Sequence, residues 1–405
     1  MLFHLIYILT LHLLYKQRSE YGRCKKIAIM RPIIIYVIIA FLCESCSSSK
    51  EYVQESQYKL DVPQQPSEDG DFNNHFELVE VIPLETSEEF LVSDIKRLIR
   101  YEDKLILLSG KNNTVFVIHA KTGKIERAIV KIGAGPGEWK NILDIAFDET
   151  SQKIAIYNDY SKVVFYNLEG EFLSELNVEG LFEELSWYEG KFVFSNLLEG
   201  YSYVSRYIKV FHQKDQRWEE IGDVNNQIDF PIRSLGRSMV KSNRLWLTTP
   251  LDFNLLSYDG NRLVTVYDLM LTTPKINDDL KKLSLSNSRE FLKEVAKNKL
   301  IYSMHSIRET TDYIVFKSNQ EGIFVLDKKT NEVFWNKYVA EESLNMHLTQ
   351  YYPHDGNDDK IMFVIPPELF TKNLQKNVDR QDKFSPPKVD DNPILLFYKQ
   401  KTLKE

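Results

Sequence analysis

The chain has 405 residues, of which 43% are apolar and 27% are charged, with 16 Gly, 14 Pro and 3 Cys. This composition excludes collagen-like, disulfide-rich and wholly disordered proteins, and 23 Phe, 22 Tyr and 5 Trp are enough for a large core. The net charge of −7 at pH 7 argues against nucleic acid as a partner, because phosphates must be neutralised by Lys and Arg.

Two apolar stretches open the chain, at residues 2–14 and 33–43. Neither reaches the ~18 uninterrupted apolar residues of a membrane-spanning helix. Met30 and Arg31 precede the second stretch and Ser45 follows it, which is the pattern of a secretory signal peptide cleaved before Cys46. We therefore predict that translation starts at Met30 and that residues 1–45 are removed. One uncleaved N-terminal anchor helix is the alternative.

Residues 46–75 are predicted to be a flexible, acidic tether that begins with a polar run. The segment around Cys46 resembles a bacterial lipoprotein signal, in which the cysteine after the cleavage site is acylated. The resemblance implies that Cys46 carries a lipid that anchors the protein to a membrane. The following Lys50 and Glu51 resemble a short export signal, so we expect the cell envelope, at the outer membrane and facing either the periplasm or the exterior.

From residue 76 onward, short strands rich in β-branched and aromatic residues alternate with turns. One turn recurs before a strand at Gly123, Gly170 and Gly260. The first two glycines are about one unit of roughly 45 residues apart, and the last two are about two such units apart. A unit of this length with four strands is typical of a β-propeller blade. The sequence thus predicts an all-β domain over 76–400 with six blades, near 95–130, 142–176, 182–221, 237–268, 301–338 and 346–400.

The last predicted blade has only three convincing strands, and the isolated strand at 76–84 can supply the fourth. Such pairing would close the ring and remove an open sheet edge. Residues 277–300 are predicted to be a small helical insertion, because Leu283, Phe291 and Val295 give that segment an apolar side.

This layout resembles the six-bladed, NHL-like β-propeller lipoproteins of Bacteroidetes over residues 76–400. The resemblance rests on the segments 82–86, 133–139 and 391–399. It implies a fold and a location, but no reaction.

Strand direction alternates within a blade, so the connections between blades all lie on one face of the ring, here called face X, and the recurring glycine turns lie on the opposite face Y. Face X receives the three largest excursions, at 133–139, 272–299 and 366–392. Long loops on a rigid scaffold often bind ligands. We predict a glycan or peptide site there, with candidate residues Trp139, Asn158, Asp159, Tyr160, Tyr201, Asp252 and Asn319. For each of them the alternative is an ordinary turn or connector residue.

Two metal hypotheses are weaker. His305 and His347 fall in the predicted innermost strands of adjacent blades and could meet at the axis. Asp69, Asp71, Asn73 and Glu80 match the ligand order of a calcium loop, but Asn74 takes the place of its usual glycine, and we favour a chance match. No other cofactor is predicted.

Three function classes follow. We favour a monomeric binding module for glycan or peptide. A lyase or hydrolase with an axial histidine and carboxylates, with or without a metal, is the second, because propellers host many reactions. A protein–protein scaffold, which needs a contiguous apolar patch, is the third.

Overall fold

The structure is a computed structural model that describes residues 56, 58–159, 161–199, 202–204, 206–222, 227–271, 276–338, 340–341, 346–347, 353–354, 360–369, 388 and 390–401. The described residues belong to one compact unit, Lys50–Glu405. The predictions about the signal peptide, Met30 and Cys46 lie outside the described residues, as do Tyr160 and Tyr201.

The elements follow one another in chain order as short strands with one helical insertion. Before the blades come β1 (Tyr58–Val62), β2 (Ser67–Asp71), a 3-10 helix (Phe72–Asn74) and β3 (Phe76–Pro83). The first blade holds β4 (Arg97–Tyr101), β5 (Lys104–Ser109), β6 (Thr114–His119) and β7 (Ile125–Ile129). The second holds β8 (Ile142–Asp148), β9 (Lys153–Asn158), β10 (Lys162–Tyr166) and β11 (Phe172–Asn177).

The third blade holds β12 (Glu184–Tyr188), β13 (Lys191–Ser195), β16 (Tyr207–His212) and β17 (Arg217–Gly222), and a small sheet of β14 (Leu198–Glu199), β15 (Ser202–Val204) and β18 (Gln227–Ile228) adjoins it in the chain. The fourth holds β19 (Met239–Lys241), β20 (Leu245–Thr249), β21 (Asp252–Tyr258) and β22 (Leu263–Leu271). Helices α1 (Asp278–Ser286) and α2 (Ser288–Lys297) follow.

The fifth blade holds β23 (Met304–Glu309), β24 (Tyr313–Ser318), β25 (Ile323–Asp327) and β26 (Val333–Tyr338). A two-stranded sheet comes next, β27 (Ala340–Glu341) with β28 (Met346–His347). The sixth blade holds β29 (Lys360–Ile365) and β30 (Ile394–Gln400). The predicted all-β six-bladed propeller with a small helical insertion is therefore confirmed.

The first strand of each complete blade lies innermost, because the first strands of neighbouring blades contact one another from β4 through β8, β12 and β19 to β23. Within a blade the strands pair antiparallel in chain order. Glycines 123, 170 and 260 have left-handed φ values of 70°, 83° and 93°, which only glycine adopts without strain. They form the short turns on face Y.

Six layers of buried apolar side chains fill the spaces between neighbouring blades. Ile106 of the first blade and Ile156 of the second share one layer. Leu395 of the sixth and Leu107 of the first share another, so the last blade packs on the first. The ring is thus closed by packing all the way round.

Strand β3 closes the ring by hydrogen bonding, as predicted. It pairs antiparallel with β30, with Ile82 opposite Leu395, and β30 pairs with β29. The sixth blade thus takes its outermost strand from the start of the domain.

The predicted flexible tether over 46–75 is wrong for residues 58–75. Strand β1 pairs parallel with β22 and β2 pairs parallel with β26, so each adds a fifth strand to the outer edge of a blade. Leu60 and Val62 alternate with exposed residues and are buried, and Phe72 is fully buried on Phe76. These apolar side chains and the unpaired blade edges outweigh the acidic composition of the segment.

The inserted helices pack on face X between the fourth and fifth blades. Asn277 caps α1 by accepting a hydrogen bond from the Leu280 amide at 2.9 Å. Phe291 of α2 is buried against Phe230 and Tyr302. No helix in the described part of the chain has the length and apolar character needed to span a membrane.

Candidate functional site

A pocket of about 430 Å³ opens on the propeller axis at face X. Its wall comes from all six blades, from residues in or just before their innermost strands. This volume lies within the usual range for small-ligand sites. The lining residues used below are Ile95, Lys96, Leu143, Glu183, Glu184, Arg233, Leu235, Gly236, Arg237, Ser306, Arg308, Pro353 and His354.

The pocket wall has more positive than negative side chains. Four basic residues, Lys96, Arg233, Arg237 and Arg308, face two acidic ones, Glu183 and Glu184. The described part of the wall therefore has two more basic than acidic side chains, in a chain whose net charge is −7. A concave surface with one excess sign of charge concentrates ligands of the opposite sign.

A buried ion pair forms the floor of the pocket. The Arg237 guanidinium donates to both carboxylate oxygens of Asp144, at 2.9 and 2.7 Å, and lies 3.8 Å from Glu184. Glu184 accepts hydrogen bonds from the amides of Ser238 and Met239, at 2.9 and 2.6 Å. Because Asp144 is in the second blade and Arg237 precedes the fourth, this pair passes in front of the third blade's innermost strand.

The two floor carboxylates differ in proton affinity. Burial opposes ionisation of Asp144, but the guanidiniums of Arg237 and Arg97 outweigh it and hold the pKa of Asp144 below its usual value. Burial raises the pKa of Glu184, and the nearby charge of Asp144 adds to this effect against the attraction of Arg237. Arg237 thus stabilises the charge of Asp144 more than that of Glu184.

The pKa of His354 is lowered by burial and by the positive charges around it. Burial, followed by the charges of Arg308, Arg97 and Arg237, lowers the pKa of His354 to about 3. Its imidazole is therefore neutral at pH 7. Arg308 donates through Nε to the carbonyl of His354, which joins the fifth blade to the sixth.

The mouth of the pocket offers accessible side chains of mixed character. The Arg233 side chain is 58% exposed and pairs with Glu183 at 2.5 Å. Leu235 is 56% exposed. The mouth thus combines a cationic side chain with an apolar one. The residues of the floor, in contrast, are hydrogen-bonded to one another and to backbone amides.

One wall depends on a glycine. A Cβ at Gly236 would lie 2.4 Å from Ser306 Oγ and 2.5 Å from His305 Nδ1, so no side chain fits there. Ser306 has a left-handed φ of 55°, and its amide donates to the carbonyl of Arg237 at 2.7 Å. This bond ties the fifth blade to the segment that carries Arg237.

His305 lies behind this wall. It is in innermost strand β23, as predicted, but its imidazole is fully buried and interacts with Ser306 Oγ and the Ser318 carbonyl, both at 3.2 Å. His347 lies in β28, outside the sheet of the sixth blade, so its predicted place in the innermost strand is wrong. His354, which bridges Met362 of β29, lies there instead.

The first three ligand-face candidates are structural. Trp139 is fully buried and donates through Nε1 to the Asn113 carbonyl at 3.1 Å, and Asn158 is also buried. Asp159 accepts from the amides of Lys140 and Asn141. The prediction that Trp139 and Asn158 contact a ligand is wrong, because their side chains are packed inside the protein.

The other described candidates position loops. Asp252 pairs with Arg206 at 2.8 Å, and Asn319 accepts from the Tyr302 amide at 2.8 Å. The five candidates that the structure describes therefore do not converge, and the axial pocket is lined by none of them.

The predicted calcium ligands are spread over two strands and a 3-10 turn. Asp69 lies in β2, while Asp71 caps the 3-10 helix by accepting from the Asn73 amide at 2.9 Å. Glu80 lies in β3 and forms ion pairs with Arg100 and Lys360. Within the described ranges, no three His, Cys, Asp or Glu side chains are grouped so that they could hold a metal ion.

Two other depressions differ in charge from the axial pocket. A groove of about 570 Å³ at the outer rim, beside β2 and β26, is lined by His75 and Phe334 among others, and none of the described residues of its wall is Asp, Glu, Lys or Arg. The second depression, of about 430 Å³, adjoins the axial pocket and shares Ile95 and His354 with it. It is called the acidic depression here, because its wall includes Asp94, Glu368, Asp390 and Asp391.

The sequence did contain a signal for the axial pocket. Charged residues recur in or just before successive innermost strands, at Arg97, Asp144, Glu184, Arg237 and Arg308. One such residue in a strand is unremarkable, and only its repetition from blade to blade indicates a shared axial site.

Comparisons with known proteins agree with this architecture. The family model described as "Domain of unknown function (DUF4934)" matches residues 58–399. The fold is similar to a putative exported protein from Bacteroides fragilis NCTC 9343, with a TM-score of 0.68 and 18% identity over 85% of this chain and 99% of that one. It is also similar to a member of the duf4221 family from Bacteroides vulgatus, with a TM-score of 0.52 and 12% identity over 81% and 99%. No curated protein matches the sequence.

Proposed function

The chain belongs to the DUF4934 family, and from this premise we propose that it is a binding module of the cell envelope whose axial pocket takes an anionic glycan or peptide. The observation that carries the proposal is the excess of positive charge in the pocket of an acidic protein. Guanidinium groups match carboxylates and phosphates in geometry as well as in charge.

The chemistry of the pocket supports binding better than catalysis. A general acid or base works best when its pKa is near the ambient pH, and His354 has a pKa of about 3. The floor carboxylates of Asp144 and Glu184 already accept hydrogen bonds from Arg237 and from backbone amides. These groups stabilise the ring and leave the mouth to contact a ligand.

The envelope location rests on separate support. The signal-peptide pattern ending at Cys46 fits export, and a structural relative carries the description of an exported protein. We propose that Cys46 is lipidated and anchors the propeller at the outer membrane. Mass spectrometry of the mature N-terminus, with Cys46→Ala as control, is expected to find an acylated Cys46. An unmodified peptide starting at Met30 or earlier would contradict lipidation.

The binding proposal is tested by reversing one accessible charge. Arg233→Glu is expected to weaken binding of a carboxylate-bearing probe (trigalacturonate or an acidic peptide) at least tenfold, because it turns an exposed mouth cation into an anion. Isothermal titration calorimetry at 50 and 500 mM salt should also show weaker binding at high salt.

The matched control is Arg262→Glu. Arg262 is similarly exposed, pairs with Asp259 and follows the Gly260 turn on face Y. Its variant should bind like the wild type. Equal affinities of the two variants, or no binding of either class of probe by the wild type, would overturn the proposal.

A further inference from the structure

We infer that the axial pocket takes the C-terminal end of a peptide with an apolar last residue, in preference to an acidic glycan. The inference rests on the proposed function, since it names the ligand class for the same pocket. Four observations carry it: the size of the pocket, the excess of basic over acidic residues in its described wall, the aliphatic lining and the acidic depression beside the mouth.

The size of the pocket favours a chain end. Arg237 reaches across the third blade's innermost strand to Asp144 in the second blade, and Glu184 of that strand lies within 3.8 Å of the guanidinium. A chain end fits a pocket of about 430 Å³, whereas an internal segment would have to both enter and leave it.

The charge of the wall selects the carboxylate end. An α-carboxylate is a compact anion that a guanidinium fork binds well, and an α-ammonium would be repelled by the four basic side chains. Among the arginines that line the pocket, the Arg233 side chain is the most exposed, at 58%, whereas its partner Glu183 is only 16% exposed. Most of the Arg233 side chain therefore remains accessible to a ligand carboxylate.

The apolar lining favours an amino-acid side chain over a sugar ring. Ile95, Leu143, Leu235 and Pro353 are aliphatic, and no Phe, Tyr or Trp is among the described lining residues. Sugars commonly use aromatic rings as stacking surfaces, whereas aliphatic groups bury a Leu or Val side chain by the hydrophobic effect. Leu235, more than half exposed at the mouth, gains most from being covered.

The acidic depression disfavours polyanions. A polyuronate that placed one carboxylate in the axial pocket would carry the next ones past Asp94, Glu368, Asp390 or Asp391. The negative charges of the polyuronate and of this wall would repel each other. A peptide has one terminal carboxylate, and a Lys a few residues upstream would meet this wall favourably.

The test compares four probes on residues 50–405, the compact unit that holds every described strand and the whole core. They are acetyl-Lys-Ala-Ala-Leu with a free carboxylate, the same peptide as its C-terminal amide, the free acid ending in Gly, and trigalacturonate. We expect the Leu acid to bind at least tenfold more tightly than its amide and than trigalacturonate, and several-fold more tightly than the Gly acid. Calorimetry measures all four.

Two variants and one control test which residues cause these preferences among the probes. Leu235→Asp should reduce the preference for Leu over Gly, whereas Leu292→Asp, on the exposed side of α2, should leave it unchanged. Glu368→Lys should improve trigalacturonate binding more than peptide binding. Both target residues are exposed, so the variants are expected to fold.

The outcomes separate the two proposals. If trigalacturonate binds as tightly as the Leu acid, the C-terminal inference is overturned while an anion-binding pocket stands. If the amide binds as tightly as the acid, the C-terminal inference is overturned, and the anion-binding pocket stands only if trigalacturonate binds. If none of the four probes binds, both proposals are overturned.

Discussion

Arg237 connects three blades through one side chain. It donates to Asp144 in the second blade, approaches Glu184 in the third and immediately precedes the fourth. Both carboxylates are buried, so the cost of removing one partner is large: a buried charge without its partner destabilises by about 3–5 kcal/mol.

Asp144→Ala is therefore expected to lower the free energy of unfolding by about 3–5 kcal/mol in urea titrations. Asp259→Ala is the matched control, because Asp259 forms an exposed ion pair with Arg262 and its loss should cost about 1 kcal/mol or less. Similar changes in the two variants would contradict the structural role given to the floor.

His305 makes stability depend on pH. Burial, and after it the charge of Lys317, lowers the pKa of His305 from 6.5 to about 3. Between pH 6.5 and pH 3, this imidazole stays neutral in the folded protein, whereas in the unfolded chain it binds a proton. Stability is therefore lost as the pH falls from 6.5 towards 3, by up to about 1.4 kcal/mol per pH unit for this histidine.

Urea titrations at pH 7, 6 and 5 should show this loss for the wild type. His305→Gln is expected to be less stable at pH 7 but to lose less stability per pH unit, because Gln does not titrate. The comparison removes contributions that wild type and variant share, including those of His354 and the carboxylates. An unchanged slope in the variant would contradict the assignment.

At the scale of elements, the N-terminal strands join the outer edges of three blades. Strand β1 extends the fourth blade, β2 the fifth and β3 the sixth, before the chain enters the first. Leu60, Val62 and Phe72 are buried in two inter-blade layers. Each fully buried side chain of this kind contributes about 1.5–3 kcal/mol.

Three truncations test this arrangement. A chain starting at Tyr58 should melt like residues 50–405, a chain starting at His75 should melt at lower temperature, and a chain starting at Glu85 should aggregate because its ring is open. Thermal melting and size-exclusion chromatography measure the three. Identical melting of the first two would show that β1 and β2 contribute nothing to stability.

The sequence predicted elements with a strong period better than it predicted isolated ones. Apolar alternation and the recurring turns at Gly123, Gly170 and Gly260 indicated the blades and the closing strand β3. Strand β2 has the sequence Ser-Glu-Asp-Gly-Asp and no apolar alternation, so only its pairing with β26 makes it a strand. Local sequence holds no signal for such a contact.

The site was less predictable for a related reason. Asn, Asp and aromatic residues in connectors suggested a ligand surface, but Trp139 packs in the layer between the first and second blades and Asn158 is buried. The axial residues are single charges about one blade apart in sequence, without a local motif. Ring closure is what brings Arg237 and Asp144 together across 93 positions.

At the scale of the whole molecule, strand β1 begins on the side opposite the axial pocket. It runs parallel to β22, from Tyr58 opposite Tyr267 to Val62 opposite Leu271, and β22 leads from the Gly260 turn on face Y to face X. Tyr58 therefore lies towards face Y, whereas the axial pocket opens on face X.

A crystal structure of residues 50–405 with a bound carboxylate probe, the peptide acid or trigalacturonate, would locate the ligand on the propeller. We expect density in the axial pocket, with a carboxylate within hydrogen-bond distance of Arg233 or Arg308. Density at the rim groove beside His75 and Phe334, or at any other surface with the axial pocket empty, would contradict it.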